Sequence, residues 1–328
     1  MSAAPDMRKL IDAVVASFRP MALDGGGWQD QELTLLTDLR ERFICAGAAH
    51  LESVQNPQRW LQVGVRFKSQ RQCRSFLQGG LGPSARRWLA ERRIRRFFFM
   101  VKPPGLRLRF CGAALDHDLA PRLHRLLQRE RTNGTLVGYE PGVYDAETYQ
   151  FGGEIGLDIA HDLFTYDSLA ILDLLRSEAP RETLPVLSLT VLNHLLAQLC
   201  ADPWELWDGW CNMRLVQRIP TLSAAALAAA EARFQEQREL LAKTVWDRDS
   251  VLAELPPAQR RVLARYFAEN VRLGRRLRQA ARSGELLYGP RKIFPFYAIF
   301  QWNRWMFSLR TQAALAFYMQ RLLDPKGA

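Results

Sequence analysis

The stretch from Tyr139 to Leu175 constrains the fold most, because a polar, tyrosine-rich loop passes through a glycine pair into a strongly periodic segment. Gly152 and Gly153 tolerate backbone angles that other residues avoid, so a sharp turn is expected before the helix. The apolar residues that follow recur at helical spacing: Ile155, Ile159, Leu163, Ala170, Leu174 and Leu175. We predict a break between Thr165 and Asp167, with Asp167 or Ser168 capping a second helix. This order is typical of a site at a helix entrance, and a plain turn before a helix has the same pattern.

The residues before this stretch predict an antiparallel sheet. Trp60 to Phe67 alternates apolar and polar side chains, as a half-buried strand does. Phe97–Val101 is predicted to be a second strand and Gly105–Phe110 a third, separated by the turn at Pro103-Pro104. His117–Gln128 is predicted to be a helix. The Asn133-Gly134 turn then leads into a short strand that ends at Tyr139.

Beyond Pro180 the sequence predicts helices almost throughout. Five segments have apolar residues at 3.6-residue spacing: Val186–Cys200, Pro203–Arg218, Ser223–Trp246, Pro256–Arg282 and Phe300–Leu323. Gly289-Pro290 and Pro295 are expected to break the chain before the last of them. The predicted fold class is α+β, an antiparallel sheet in the first half packed by a largely helical second half.

Two short helical patterns near the N-terminus, Met7–Phe18 and Asp30–Ile44, are separated by three glycines. They predict an N-terminal helical attachment over residues 1–50, followed by a single domain over residues 51–328. A chain of 328 residues with 48% hydrophobic side chains can bury a sizeable core.

Composition excludes several classes of protein. No apolar run is long enough to span a membrane, and the N-terminus lacks the apolar core of a signal peptide, so a cytoplasmic location is expected. The five cysteines are scattered and include no C-x-x-C pair. Neither a disulfide framework nor a zinc site is predicted, and we expect no cofactor and no metal.

The net charge of +11 favours an acidic partner. Arginines cluster at residues 86–96 and again at residues 272–282, and such clusters can contact nucleic-acid phosphates. Here they are interspersed with apolar residues at helical spacing. Solvated helix faces are therefore the preferred interpretation, and a nucleic-acid partner is not expected.

Arg107 and Arg109 are two residues apart on one predicted strand, so they share the face opposite Leu106, Leu108 and Phe110. Two guanidinium groups on one face can bind carboxylate or amide oxygens. A pair of ordinary surface arginines would have the same pattern.

Three blocks of the sequence carry a more specific pattern. YEP, YQFGG, AHDLF and DS follow one another between Tyr139 and Ser168, FFFMVKPPGLRLRF spans Phe97–Phe110, and FQWNR spans Phe300–Arg304. Together they resemble the lantibiotic dehydratase C-terminal family, also called thiopeptide-type bacteriocin biosynthesis domains, from about Trp60 onward. The resemblance implies the fold of the elimination domain of class I lantibiotic dehydratases. It also implies a ribosomally synthesised precursor peptide with an acidic leader as the partner, and a homodimer is compatible with it.

The sequence departs from the family pattern at three positions. Gln150 stands where the family has the arginine of RYGG, Ile299 where it has a histidine, and Gly105 where it often has another histidine. A neutral amide cannot neutralise a glutamyl carboxylate, and isoleucine cannot transfer a proton. The resemblance therefore favours the pyridine synthase branch, whose reaction is a formal aza-[4+2] cycloaddition between two dehydroalanines with loss of water and leader peptide. A glutamate-eliminating lyase, as half of a split dehydratase, and a non-catalytic peptide- or nucleic-acid-binding scaffold are the alternatives.

This interpretation assigns two sets of candidate site residues. Phenol and amide groups that can give and accept protons without fixed charge are the catalytic candidates: Tyr149, Gln150, Tyr297 and Gln301. The substrate-binding candidates are Arg107, Arg109, Tyr144, Asn303 and Arg304. His161 is expected to be a structural hydrogen-bonding residue. Arg304 is expected to order the last helix against the sheet, or to hold a substrate carbonyl.

Overall fold

A computed structural model describes residue 44 and residues 59–102, 105–177, 179–180, 182–216 and 223–326. Nearly all of these residues belong to one compact unit, Trp60–Ala328. Apart from Ile44, the two N-terminal helical patterns and the Pro103-Pro104 turn lie outside the described residues. The division into an attachment over residues 1–50 and a domain over residues 51–328 stays a prediction.

Four antiparallel strands form one sheet in the order β2-β3-β1-β4. Their bounds are β1 Trp60–Arg66, β2 Arg96–Lys102, β3 Gly105–Cys111 and β4 Gly138–Gly142. The first three confirm the predicted strands. The fourth was predicted to end at Tyr139, which is wrong, because it continues through Pro141. A proline is tolerated there because β4 is an edge strand, where one missing N–H leaves the rest of the ladder intact.

The helices fill the connections of the sheet half and nearly all of the second half. They are α1 Gln70–Ser75, α2 Gly82–Ala90, α3 Ala120–Thr132, α4 Glu154–Arg176, α5 Leu184–Ala197, α6 Pro203–Cys211, α7 Ala224–Trp246, α8 Arg248–Ala253, α9 Pro257–Arg282, α10 Pro290–Arg304 and α11 Leu309–Leu323. Short π-helical segments at Phe76–Leu81 and Leu115–Leu119 precede α2 and α3, and a 3₁₀ turn at Asn212–Val216 follows α6. The α+β prediction is confirmed.

The predicted break between Thr165 and Asp167 is wrong, because α4 runs through it without interruption. The Thr165 hydroxyl donates to the carbonyl of His161 within the helix. Asp167 and Ser168 are fully buried, and their side chains bond to other elements instead of capping a helix. These polar residues, which resemble a helix cap in the sequence, instead hydrogen-bond to other strands and helices.

The single helix predicted over Phe300–Leu323 is also wrong, because two helices meet at residues 305–308. Met306, two residues after the end of α10, has φ 63°, a left-handed angle unusual for a residue with a side chain. The prolines do not break the chain as expected. Pro290 begins α10, where its missing N–H would have no partner anyway, and Pro295 lies within the helix.

Helix α4 covers the edge of the sheet that β2 forms. The backbone amide of Phe97 donates to the Thr165 hydroxyl at 3.2 Å, and that of Phe99 donates to the Ser168 hydroxyl at 3.4 Å. An uncovered edge strand exposes unpaired amides and invites association. The helix hydroxyls satisfy these amides and fix α4 against β2.

A buried ion pair joins α4 to α10. Arg304 Nε donates to Asp167 Oδ2, and both side chains are completely buried. The other carboxylate oxygen accepts from Tyr266 of α9 at 2.7 Å and from the Trp305 indole at 2.9 Å. Arg304 also contacts the sulfur of Met100 in β2 and the ring of Phe164. Arg304 thus joins α10 to the sheet, which is the first of the two roles expected for it, and its role towards a substrate stays a prediction.

A second set of ion pairs lies at the surface end of the same helix. Arg96 and Arg276 each contact both Asp158 and Asp162, which are one turn apart on α4. The arginine run at residues 86–96 is further engaged through Arg86 and Arg93, which pair with aspartates. These arginines hold helices and strands together. The interpretation of the first run as a solvated helix face is wrong beyond α2, because that helix ends at Ala90 and Arg96 begins β2.

We expect Asp167→Asn to lower the free energy of unfolding by about 3–5 kcal/mol, because Arg304 would be left buried without its counter-charge. Urea titration monitored by circular dichroism measures this. Glu231→Gln is the matched control, since it breaks an ion pair with Arg321 that is partly exposed, and we expect it to cost less than about 1 kcal/mol. Equal losses in the two variants would contradict the anchoring role of Asp167.

Candidate functional site

The loop between β4 and α4 is held in one conformation by its own backbone. The amides of Gln150, Gly152 and Gly153 donate to the carbonyls of Glu147, Tyr149 and Thr148. Gly152 and Gly153 have φ of 82° and 99°, which only glycine adopts without strain. The amide of Leu287 donates to the Gly152 carbonyl at 3.0 Å, so the chain before α10 supports the turn. The sharp turn predicted from the glycine pair is present.

Arg109 lies beneath this loop and is only 3% exposed. Its Nε donates to Gln62 Oε1 at 2.7 Å, and its guanidinium carbon lies 4.3 Å from the centre of the Tyr144 ring. Gln62 in turn donates to the Val143 carbonyl at 2.9 Å, which ties the loop to β1. The substrate-facing role predicted for Arg107 and Arg109 stays a prediction. They share a sheet face, but the loop covers Arg109 and leaves Arg107 exposed.

Tyr144 and His161 form the polar centre of the site. The phenol oxygen of Tyr144 lies 2.8 Å from His161 Nε2. The imidazole ring packs 4.5 Å from the Trp60 ring and is 3% exposed. His161 is thus a hydrogen-bonding residue, as expected, and its partner is one of the predicted substrate-binding residues. We call Arg109, Tyr144 and His161 the central cluster.

Burial controls the protonation of the central cluster. It lowers the pKa of His161 to about 3, to which the Arg96 charge adds. It also raises the pKa of Tyr144 above that of a free phenol, with Arg109 opposing the shift. At neutral pH the cluster therefore holds a neutral imidazole and a neutral phenol in contact. Burial lowers the pKa of Arg109, which Tyr144 and Glu147 counteract.

Three buried polar atoms in this region make no hydrogen bond to any described residue: Arg109 Nη1, His161 Nδ1 and Glu147 Oε2. Buried polar atoms are nearly always satisfied, so such atoms at one place need an explanation. A guanidinium N–H can donate to a carbonyl oxygen of a ligand, and the Tyr144–His161 pair can pass a proton without creating a net charge. The cluster has the donors and acceptors that amide chemistry requires.

The other predicted residues lie elsewhere. Tyr149 is 74% exposed and packs against Tyr288. Gln150 is half-buried in the turn, and Asn303 accepts from Gln312 at 3.1 Å. Tyr297 is buried against Phe151, and its hydroxyl has no partner among the described residues.

Gln301 belongs to the hydrogen-bonded network around Asp167. It donates to Tyr266 at 3.2 Å and accepts from Ser188 at 2.6 Å. Gln301 and Arg304 have almost no accessible surface, and neither does Tyr297. The structure thus brings Arg109 and Tyr144 together and places these three residues in the interior.

Sequence reasoning missed Gln62 and Glu147. Glu147 lies in the tyrosine-rich loop, where an acidic residue between two tyrosines was a signal that could have been followed. Gln62 had no such signal, because an amide on the polar side of a strand is ordinary.

The surroundings of Gly105 show why no histidine stands at its position. A Cβ atom there would lie 1.8 Å from the Val65 carbonyl oxygen, so the two strands approach too closely for any side chain.

A model of the lantibiotic biosynthesis dehydratase C-terminal family matches residues 60–323. The chain belongs to this family. No curated protein matches the sequence. The resemblance seen in the three sequence blocks is confirmed at the level of the family.

Three solved structures share the fold. The tRNA dependent lantibiotic dehydratase MibB from Microbispora sp. 107891 superposes with a TM-score of 0.60 at 22% identity, over 80% of this chain and 28% of MibB. TsrL superposes with a TM-score of 0.59 at 16% identity, over 81% of this chain and 94% of TsrL. TbtD, a pyridine synthase from thiomuracin biosynthesis, superposes with a TM-score of 0.55 at 14% identity, over 81% of this chain and 98% of TbtD. The chain thus spans just over a quarter of MibB and nearly the full length of the other two.

No group of three His, Cys, Asp or Glu side chains among the described residues is placed to hold a metal ion. None of the described helices is both long and apolar enough to cross a membrane.

We expect the stability of the protein to fall below about pH 6.5 because of His161. Its folded pKa of about 3 lies below the ordinary value of 6.5, so only the unfolded chain gains a proton between these values. The stability is fully present above the unfolded pKa and falls by up to about 1.4 kcal/mol per pH unit as the pH drops towards 3.

Urea unfolding between about pH 7 and about pH 5 measures this slope in the wild type and in His161→Asn. The variant should have a shallower slope. His117→Asn changes an exposed imidazole and should leave the slope unchanged. A slope that is the same in all three proteins would show that His161 is not held neutral by the fold.

Proposed function

We propose that the protein is a pyridine synthase that acts on a dehydrated precursor peptide. The reaction is a formal aza-[4+2] cycloaddition between two dehydroalanines, followed by loss of water and of the leader peptide. The observation that carries the proposal is the neutral, buried Tyr144–His161 pair beside the unsatisfied Arg109 Nη1. It is supported by the near full-length likeness to the pyridine synthase TbtD.

The chemistry needs positioning and tautomer control more than a strong base. Two dehydroalanines held in a reactive pose require little activation beyond proximity, which can supply a large part of the rate enhancement. The linking amide reacts as its iminol, so a proton must reach its oxygen and leave its nitrogen. Tyr144 can donate its proton to that oxygen, and the proton that leaves the nitrogen can enter neutral His161 at Nδ1 while its Nε2–H reprotonates Tyr144, so that both side chains end neutral. Arg109 can stabilise the polarised carbonyl.

Arg107 is proposed to make a second contact with the peptide substrate. It is exposed on the same sheet face, and its neighbour on β1 is Gly64, which leaves the surface open apart from Glu140. A peptide carbonyl or carboxylate can therefore approach it. We assign Arg107, Tyr144 and Arg109 to the substrate side of the site. Gln150 and Tyr149 at the turn, and Asn303 on α10, are proposed to contact the peptide farther from the central cluster.

Tyr297, Gln301 and Arg304 keep a role in the proposal as supporting residues. They are buried in the core that holds α10 against α4. Their effect on catalysis is proposed to pass through the position of the loop, because Tyr297 packs against Phe151 beside the glycine turn, and Gln301 and Arg304 hydrogen-bond within the core.

Glutamate elimination is the second candidate function, and the likeness to MibB favours it. That reaction requires a base that removes an α-proton. His161 is a poor base because burial lowers its pKa to about 3, and Ile299 and Gln150 offer no replacement.

The proposal places the enzyme in the cytoplasm, with a precursor peptide whose acidic leader complements the net charge of +11.

Mass spectrometry of a dehydrated, azole-bearing precursor incubated with the enzyme tests the proposal. Loss of water together with the leader is expected. Loss of glutamate from a glutamylated precursor would identify a lyase, and no change with either peptide would identify a non-catalytic scaffold.

Tyr144→Phe should lower product formation by about 10²-fold, because it removes the proton donor while keeping the ring over Arg109. The single-turnover rate measured by the same mass spectrometry gives the value. Tyr149→Phe makes the same chemical change on an exposed phenol and should have a much smaller effect. If Tyr149→Phe caused the greater loss, the site would lie at the glycine turn and not at the central cluster.

A further inference from the structure

The sheet face that carries Arg109 continues beyond the central cluster as a row of three residues. Gly64 of β1 lies opposite Arg107 of β3 on one side and opposite Glu140 of β4 on the other. Directly opposed residues of antiparallel strands point to the same face of the sheet. Arg107 and Glu140 therefore stand on either side of a position that has no side chain. We call these three residues the glycine slot.

The glycine slot is open in the part of the chain that the structure describes. Arg107 and Glu140 are exposed, and neither side chain has a hydrogen-bond or ion-pair partner among the described residues. The three atoms nearest to a Cβ at Gly64 would all belong to Glu140, the closest of them at 3.6 Å. Neighbouring strands lie about 4.8 Å apart, so the Cα atoms of Arg107 and Glu140 are about 10 Å apart. A gap of this width can take one polypeptide backbone.

The two sides of the slot differ in hydrogen-bonding character. The guanidinium of Arg107 can only donate, and the carboxylate of Glu140 can only accept. A trans peptide unit carries its carbonyl and its N–H on opposite sides of the backbone. A chain laid over Gly64 along β1 would thus direct a carbonyl at Arg107 and an N–H at Glu140. An anionic or a cationic ligand would be repelled by one side, so an uncharged backbone fits best.

The spacing along β3 puts the slot in register with the central cluster. Arg107 and Arg109 are two residues apart, which is roughly 7 Å along a strand. In an extended chain the carbonyls of alternate residues point to the same side with the same repeat. A carbonyl at Arg107 would therefore be followed by a second carbonyl level with Arg109, whose buried Nη1 has no partner among the described residues. A helical peptide does not have this repeat.

We propose that the glycine slot binds one peptide unit of the substrate in an extended conformation, two residues from the amide that reacts at the central cluster. Arg107 and Glu140 are positioning residues for the chain, and Gly64 provides the space for its backbone. The identity of the reacting amide rests on the proposed function. The binding of an extended backbone in the slot does not depend on ring formation.

The first test measures binding of the core segment of the precursor, without its leader and labelled with fluorescein, by fluorescence anisotropy against the full chain. Gly64→Val fills the slot with a side chain that suits a strand, and it should weaken binding by at least about tenfold. Gly64→Ala adds a Cβ at ordinary contact distance, so it should fold and give a smaller loss. Circular dichroism on heating checks that both variants keep the fold.

The second test separates hydrogen bonding from charge at Glu140. Glu140→Met removes the acceptor and should weaken binding by about threefold to tenfold, the loss expected for one hydrogen bond. Glu140→Gln removes the charge but keeps an acceptor oxygen, so it should recover most of the affinity. Glu285→Met makes the same change as Glu140→Met at an exposed position outside the slot and should change the affinity by less than about twofold.

The inference is overturned if the core segment does not bind, or if Gly64→Val binds it like the wild type. It is also overturned if Glu140→Gln loses as much affinity as Glu140→Met, because the slot would then act through charge and not through a peptide N–H. Ring formation is measured separately by mass spectrometry. Ring formation with unchanged core binding in Gly64→Val would remove the slot and leave the proposed function. Slot-dependent binding without any ring would remove the proposed function and leave the slot.

Discussion

The carboxylate of Asp167 is the contact on which the rest of the structure depends. Removing a charge from water is costly, and the cost is offset only when the charge is paired and its remaining lone pairs are hydrogen-bonded. Asp167 meets this condition through Arg304, Tyr266 and Trp305. These partners come from α9, from α10 and from the turn after α10. Because Arg304 also contacts Met100, the same carboxylate fixes the helical half to the sheet.

This anchor determines the chemistry of the central cluster. Asp167 and His161 lie on the same helix, so fixing one fixes the other. With α4 held against β2, the imidazole is enclosed by Trp60 and Phe98 and shifts towards its neutral form. The loop that brings Tyr144 to it is pinned by Gln62 and by the glycine turn. A neutral phenol–imidazole pair is therefore mainly a product of packing, to which the nearby Arg96 charge adds.

The sequence was sufficient for the strand pattern and the helical half, because alternation and 3.6-residue spacing are local properties. It was not sufficient where a distant element decides the outcome. Alternation placed Arg107 and Arg109 on one face but could not show that Tyr144 covers only Arg109. Thr165, Asp167 and Ser168 have the composition of a helix break, yet their hydrogen-bond partners are far away in the chain. Residues 305–308 contain no glycine, so the spacing gave no sign that two helices meet there.

The close approach at Gly105 has a consequence for how this sequence can change. A side chain at that position would collide with the Val65 carbonyl before it reached any substrate. A histidine at this position, which the family pattern often has, therefore cannot be introduced by a single substitution, because the strands would first have to separate. Substitutions at Gln150 and Ile299 meet no such obstacle, because both positions are only half-buried. The close pairing of β1 and β3 thus restricts the chemistry available at the sheet far more than packing restricts it at the loop or on α10.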